Sequence, residues 1–81
     1  MSLDQRIGHR VRAERSRLGL TQLKLCARME FAIQPSQLSQ LERGGASWMG
    51  RHIELAAAAF GMEPWELLKA HDESSRTRSR E

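Results

Sequence analysis

Hydrophobic residues recur at intervals of three and four along most of the chain, the spacing that places them on one side of an α-helix. Five segments show this spacing, and short stretches containing glycine, proline or polar residues separate them. Ala, Leu, Arg and Glu are frequent whereas β-branched residues are few, which favours helices over strands. The pattern therefore predicts an all-α fold of five helices.

The first predicted helix covers residues 3 to 18 and ends before Gly19, a residue that readily takes the left-handed conformation found after helix ends. Its apolar stripe consists of Leu3, Ile7, Val11 and Leu18. Arg15 interrupts this stripe and should face the core, where a guanidinium needs a paired acceptor. We expect Glu42 to supply it, in an ion pair that ties the first helix to the third. The alternative is that Arg15 extends its charged group to water along the helix edge.

The stretch from residue 19 to residue 45 contains two short helical segments joined by a turn. The first segment follows Thr21, whose hydroxyl can cap the free amides of a helix start. Its apolar face consists of Leu25, Cys26 and Met29. Gln22 lies in its first turn, where free amides and the positive end of the helix dipole favour a phosphate.

The second short segment begins at Pro35, whose fixed φ suits a first helical position, and Gly44 and Gly45 end it. Its inward residues are Leu38 and Leu41. Its outward residues are Ser36, Gln37, Gln40 and Arg43. A glutamine can form two hydrogen bonds with an adenine edge, so this face suits a surface that distinguishes bases. A merely solvated helix face is the alternative.

Two further helices are predicted after the glycine pair. Ser47 is placed to cap the fourth helix, and Gly61 ends it. The inner face of the fourth helix consists of Ile53, Ala56, Ala57 and Phe60. Pro64 opens the fifth helix, with Leu67 and Leu68 expected to anchor it in the core.

Residues 72 to 81 contain no apolar side chain, which predicts a disordered, polar and Arg-rich tail after a single domain of residues 1 to 71. The formal charge of the 81-residue chain is +3, and it is unevenly distributed. Residues 1 to 51 carry nine Lys or Arg against four Asp or Glu, whereas the remainder is acidic. The positive half, which contains the paired short helices, can therefore attract a polyanion.

Candidate catalytic and metal-binding groups are sparse. The chain has one cysteine, Cys26, which we interpret as a buried small apolar residue, and no Cys/His grouping with zinc spacing. The three histidines are scattered, and His9 and His52 are expected at the surface. No phosphate-binding glycine loop, carboxylate pair or triad spacing occurs. We predict that the protein is not an enzyme and needs no cofactor or metal.

Three stretches of the sequence, IGHRVRAERSRLGLTQ, LSQLERG and AAAAFGMEPWELL, resemble in order and spacing the Cro/Xre-type (lambda-repressor-like) helix-turn-helix proteins. The resemblance covers about residues 7 to 68. It implies a five-helix domain in which helices two and three form the helix-turn-helix, and which binds double-stranded DNA. In that family the domain usually acts as a homodimer on a palindromic operator, with the third helix in the major groove.

By position, the resemblance also assigns roles to individual residues. The implied base contacts are Ser36, Gln37 and Gln40. The implied phosphate contacts are Gln22 and Arg43, to which the charge pattern adds Arg10 and Arg28. Arg15 and Glu42 match the buried ion pair of the family. Independently of the resemblance, three large apolar residues late in the chain are our candidates for the dimer interface, namely Trp48, Met49 and Trp65. The alternative is that one or both tryptophans fill the core, and for Trp65 the two interpretations are equally open.

The chain departs from the family at the turn between the two short helices. The usual tight turn with glycine is replaced by EFAIQPSQ, which is about two residues longer. We expect Phe31 and Ile33 to be buried beneath this turn and Gln34 to occupy the cap position. Leu23 is a second departure, because the family usually has a polar residue there.

The leading functional hypothesis is a sequence-specific transcriptional regulator, a repressor or autoregulator without a ligand domain. The alternative is an interaction module that keeps the fold, has lost specific DNA recognition, and presents Leu23 and Phe31 to a protein partner. No secretory signal or apolar run long enough to span a membrane is evident, so we expect a soluble cytoplasmic protein. The resemblance implies a bacterial or phage origin and association with the nucleoid when bound.

Overall fold

The computed structural model describes residues 1–69, which form five α-helices and no strand. The helices are α1 (Leu3–Arg17), α2 (Gln22–Arg28), α3 (Pro35–Glu42), α4 (Gly50–Phe60) and α5 (Pro64–Leu68). The all-α prediction is thus confirmed, with α2 and α3 as a helix-turn-helix. The predicted tail of residues 72 to 81 lies outside the described residues.

Local sequence signals set most of the helix ends. The hydroxyl of Ser2 accepts a hydrogen bond from the backbone N–H of Gln5, and that of Thr21 from the backbone N–H of Lys24. Gly19 and Gly61 follow α1 and α4 with φ of +69° and +73°, where a side chain would be strained. The prediction that Ser47 caps α4 is wrong. That helix begins two residues later, after Met49, and has no side-chain cap.

The core is a single cluster of apolar side chains contributed by all five helices and two connections. Its buried members are Ile7, Val11, Leu25, Cys26, Met29, Ile33, Leu38, Leu41, Trp48, Ala56, Ala57 and Leu67. Three leucines expected in the core are exposed instead: Leu3 by 55%, Leu18 by 40% and Leu68 by 39%. They lie at helix ends, whereas burial in α1 is confined to its middle turns, because the neighbouring helices pack there.

Helix α1 and the end of α3 approach to backbone contact at Gly8. A Cβ atom at this position would overlap the carbonyl oxygen of Leu41 and lie 2.9 Å from that of Glu42. Because only glycine allows this spacing, Gly8 determines how close the two helices come. The position of α3 relative to the rest of the domain depends on it.

Trp48 belongs to the core and is not exposed, whereas its prediction as a dimer contact assumes an exposed side chain. Its side chain is 8% exposed, and its indole N–H donates to the carbonyl oxygen of Leu41 at 3.2 Å. Its backbone N–H donates to the carboxylate of Asp4 at 2.9 Å. The segment after α3 therefore folds back over α1 and α3, which removes Trp48 from the surface. Met49 and Trp65 remain 61% and 56% exposed.

The turn between α2 and α3 keeps its shape without glycine. The N–H groups of Glu30 and Phe31 donate to the carbonyls of Ala27 and Cys26, which is the hydrogen-bond pattern of a Schellman helix end. Both residues have positive φ, 59° and 55°. Ile33 is buried as expected, but the predicted burial of Phe31 is wrong, because the left-handed backbone directs its ring outward and leaves it 50% exposed.

Candidate nucleic-acid interface

The ion pair predicted between Arg15 and Glu42 is present and joins α1 to α3. Its distances are 2.7 Å from Nε to Oε2 and 3.0 Å from Nη2 to Oε1, a two-point contact of guanidinium with carboxylate. Arg15 also donates from Nη1 to the carbonyl of Leu20 at 2.9 Å, which fixes the connection before α2. The hydrogen bonds that Arg15 donates to Glu42 raise the pKa of Arg15, and burial opposes this only in part, so the guanidinium stays charged.

Gln22, the first residue of α2, joins the same network. Its amide nitrogen donates to Oε1 of Glu42 at 3.1 Å, so this carboxylate accepts three hydrogen bonds in all. An amide nitrogen has two hydrogens, and only one is used here. The contact therefore fixes the amide of Gln22 while leaving a donor for another partner.

The outward face of α3 is polar, exposed and unpaired within the described residues. Ser36, Gln37 and Gln40 are all exposed, and none makes a side-chain hydrogen bond to another of residues 1–69. Arg43 follows as the C-cap of α3 and is exposed as well. On the opposite side, Leu38 and Leu41 are buried, as the sequence predicted. The helix thus offers donors and acceptors outward without disturbing the core.

Arg10 is less available than the sequence suggested. Its Nε donates to Oε2 of Glu14 at 3.2 Å, and its side chain is only 16% exposed. Arg17 donates to Oε1 of the same carboxylate at 2.8 Å. To reach a phosphate, Arg10 would have to break its pair with Glu14. Arg28, in the last turn of α2, is exposed and has no ion pair among residues 1–69.

Sequence reasoning missed the buried carboxylate of Glu14, which is 5% exposed. Burial raises its pKa, but the hydrogen bonds and charges of Arg17 and Arg10 outweigh this effect and hold the pKa below its ordinary value. The sequence does contain a signal for these ion pairs, because Arg10 and Arg17 lie four residues before and three residues after Glu14 on one helix.

His52 was expected at the surface, and this expectation is wrong. The side chain lies in the first turn of α4 and is 7% exposed, and its Nδ1 has no hydrogen-bond partner among the described residues. Cys26 is fully buried, as predicted. Burial, together with the negative charge of Glu42, raises the pKa of its thiol. The thiol is therefore protonated and a poor nucleophile.

Residues 1–69 contain no group of three or more His, Cys, Asp or Glu side chains arranged to hold a metal ion. Within the same part of the chain, no helix is both long and apolar enough to span a bilayer.

No protein-family profile matches the sequence, and no curated protein matches it. Two solved structures share the fold. One is the clp gene regulator ClgR from Corynebacterium glutamicum, with a TM-score of 0.80 and 22% identity over 99% of this chain and 83% of the other. The other is a hypothetical transcription factor, NHTF from Neisseria, with a TM-score of 0.81 and 23% identity over 96% and 85% of the two chains. At such identities the likeness establishes the fold, and function has to be argued from the site.

Proposed function

We propose that the protein is a transcription regulator that binds double-stranded DNA sequence-specifically, with α3 in the major groove. The observation that carries this proposal is the outward face of α3, where exposed Ser36, Gln37 and Gln40 stand on a helix whose other side is anchored in the core. Hydroxyl and amide groups can pair with base edges, and the second helix of a helix-turn-helix is the element that enters the groove. One similar structure is named as a gene regulator and the other as a hypothetical transcription factor, which supports the same function.

The proposed phosphate contacts lie at the two ends of α2 and at the end of α3. Gln22 has a fixed amide with one free hydrogen, and Arg43 is an exposed positive charge at the end of α3. Arg28 is a third exposed cation, at the end of α2. Such contacts position the protein on the duplex, whereas the α3 side chains would distinguish sequences.

We further propose that the protein acts as a homodimer on an inverted-repeat operator and, in the simplest case, represses transcription. Met49 and Trp65 are the proposed dimer contacts, because both are large, apolar and more than half exposed. Sedimentation of Met49→Ser and Trp65→Ser tests this point. Leu23→Ser is the matched control, since Leu23 is 57% exposed on α2. A dimer that both variants leave intact would place the interface elsewhere.

The function itself is tested by selecting from a randomised duplex pool at two salt concentrations and sequencing the retained DNA. Enrichment of an inverted repeat is expected. Retention that depends on salt but enriches no sequence would mean that α3 does not distinguish bases.

A second candidate function, a protein-interaction module, is favoured by the exposure of Leu23 and Phe31. The two apolar side chains belong to α2 and to the turn after it, where a DNA-binding surface would be expected to be polar. Failure to retain duplex at either salt concentration would favour this function over the first.

A further inference from the structure

We propose that a cleft between α1 and the end of α3 binds one phosphodiester of the DNA backbone, with Arg12 as its principal donor. This inference rests on the proposed function and adds to it a contact on α1. The cleft has a volume of about 210 Å³ and is lined by Met1, Gln5, His9, Arg12, Glu42 and Arg43.

The arrangement of the lining residues follows from the helix period. Gln5, His9 and Arg12 are spaced by four and three residues, so they form one stripe along α1. Arg43 approaches this stripe from α3 because Gly8 allows the two helices to come into backbone contact. Amide, imidazole and guanidinium groups, all able to donate hydrogen bonds, therefore surround one space.

The charge of the cleft is positive. Arg12 and Arg43 form no ion pair with any of residues 1–69, and both are exposed. Glu42 lines the cleft with a carboxylate, but Arg15 neutralises it through a two-point ion pair. Two uncompensated guanidinium groups thus remain, which is the chemistry that binds a phosphate.

The other arginines of α1 show why Arg12 is distinctive. Arg10 and Arg17 are paired with Glu14, and Arg15 is paired with Glu42. Arg6 is exposed and has no ion pair among residues 1–69, but it does not line the cleft. Arg6 and Arg12 therefore have the same charge, lie on the same helix and are both exposed, and they differ in position relative to the cleft.

The cleft also lies next to the proposed DNA-binding surface. Glu42, which lines it, accepts a hydrogen bond from Gln22, so the cleft and the amide of Gln22 share one carboxylate. A backbone that contacts Gln22 and Arg43 would pass this opening. A phosphate contact here would position the protein without affecting its base preference.

The test compares Arg12→Gln with Arg6→Gln, after circular dichroism has shown that both variants are folded. We expect Arg12→Gln to weaken binding about tenfold on selected and on random duplex alike, and to reduce the magnitude of the negative slope of log K against log salt by about 0.9 for each protomer bound. Arg6→Gln should change neither quantity appreciably. Equal effects of the two substitutions would overturn the proposed phosphate site in the cleft, because the losses would then reflect the change in net charge alone.

A second measurement locates the phosphate. Single uncharged methylphosphonates are introduced along the selected duplex, and binding of wild type and of Arg12→Gln is compared at each. One position at which the wild type loses affinity and Arg12→Gln does not supports the proposal. Identical profiles for the two proteins would overturn it.

Failure of the proposed function can be separated from failure of this inference. If the wild-type protein retains no duplex, inorganic phosphate is titrated and the side-chain N–H signals of Arg6, Arg12 and Arg43 are followed by NMR. Saturable shifts at Arg12 and Arg43 but not at Arg6 would keep the anion site and reject only DNA as its ligand. Equal or absent shifts would overturn the site itself.

Discussion

The guanidinium of Arg15 holds the carboxylate of Glu42 through two hydrogen bonds, of 2.7 and 3.0 Å, across the packing of α1 on α3. The Glu42 side chain is 4% exposed and that of Arg15 is 15% exposed. Removing one partner would leave a nearly buried charge unpaired, so Arg15→Met should lower the free energy of unfolding by about 3–5 kcal/mol. Urea denaturation measures it. Arg6→Met is the matched control, and a loss for Arg15→Met no larger than for the control would contradict a stabilising pair.

Gly8 should not tolerate even a methyl group. Alanine normally stabilises a helix interior relative to glycine by about 0.5–1 kcal/mol, but here its Cβ would overlap the carbonyl of Leu41. We expect Gly8→Ala to destabilise the domain by about 1–3 kcal/mol, as overpacking does. Gly50→Ala is the control, because no atom lies within 4 Å of a Cβ at Gly50. In thermal denaturation, the changes in melting temperature caused by the two substitutions should have opposite signs or differ clearly. Similar changes would argue against the close contact.

Glu30 occupies the left-handed position that ends α2, with φ of 59°. A side chain at this φ costs about 1–2 kcal/mol in the folded protein. Glycine removes that cost, but it also raises the conformational entropy of the unfolded chain, which offsets part of the gain. Glu30→Gly should therefore stabilise the protein by about 0.5–1 kcal/mol. Glu54→Gly, within α4, should instead destabilise it by about 1 kcal/mol. Chemical denaturation gives both signs, and destabilisation by Glu30→Gly would mean that its side chain contributes more than its backbone costs.

The carboxylate of Glu14 should make the free energy of unfolding depend on pH in the acidic range. Arg17 and Arg10 hold the pKa of Glu14 below the ordinary value of 4.5. The contribution of Glu14 to the free energy of unfolding is therefore complete above pH 4.5, and it is lost as the pH falls through the lowered pKa of the folded protein. Glu14→Gln should be less stable than wild type at neutral pH, and the two proteins should converge in strong acid. Unfolding free energies measured across this range test the sign. A difference that stays constant with pH would show that the carboxylate is not charged in the folded protein.

Removing an α3 side chain and removing the side chain of the C-cap residue Arg43 should affect DNA binding in different ways. Gln40→Ala should cost about 1–3 kcal/mol at one or two base positions and relax specificity there, whereas Arg43→Ala should weaken binding to all sequences and lower the salt slope. Competition binding with selected and random duplexes measures both. Equal losses on the two duplexes for Gln40→Ala would count against base recognition.

Much of the fold could be predicted from local signals. Thr21, Pro35 and Pro64 mark helix starts through hydrogen bonding or fixed φ, and Gly19 and Gly61 mark helix ends, so these boundaries depend on few neighbours. The partner of Arg15 was also predictable, because the period of α1 directs a charge inward and few acids were placed to meet it.

What could not be predicted depends on the paths of the connections. Trp48 follows a glycine pair, whose sequence restricts the chain direction little, and only the folded path shows that it returns to Leu41. Phe31 is exposed because two successive residues take positive φ, a conformation that its sequence does not announce. The assignments to DNA contacts remain predictions, since they concern a partner and not the packing of the chain.

The bond between the indole of Trp48 and the carbonyl of Leu41 gives the molecule an intrinsic optical reporter. The chain has two tryptophans, so Trp65→Phe would leave emission from Trp48 alone. This indole lies at the carbonyl that also meets Gly8, where α1 and α3 touch. Its emission wavelength would therefore follow any tilt of α3, and a stopped-flow trace could time that movement without an attached dye.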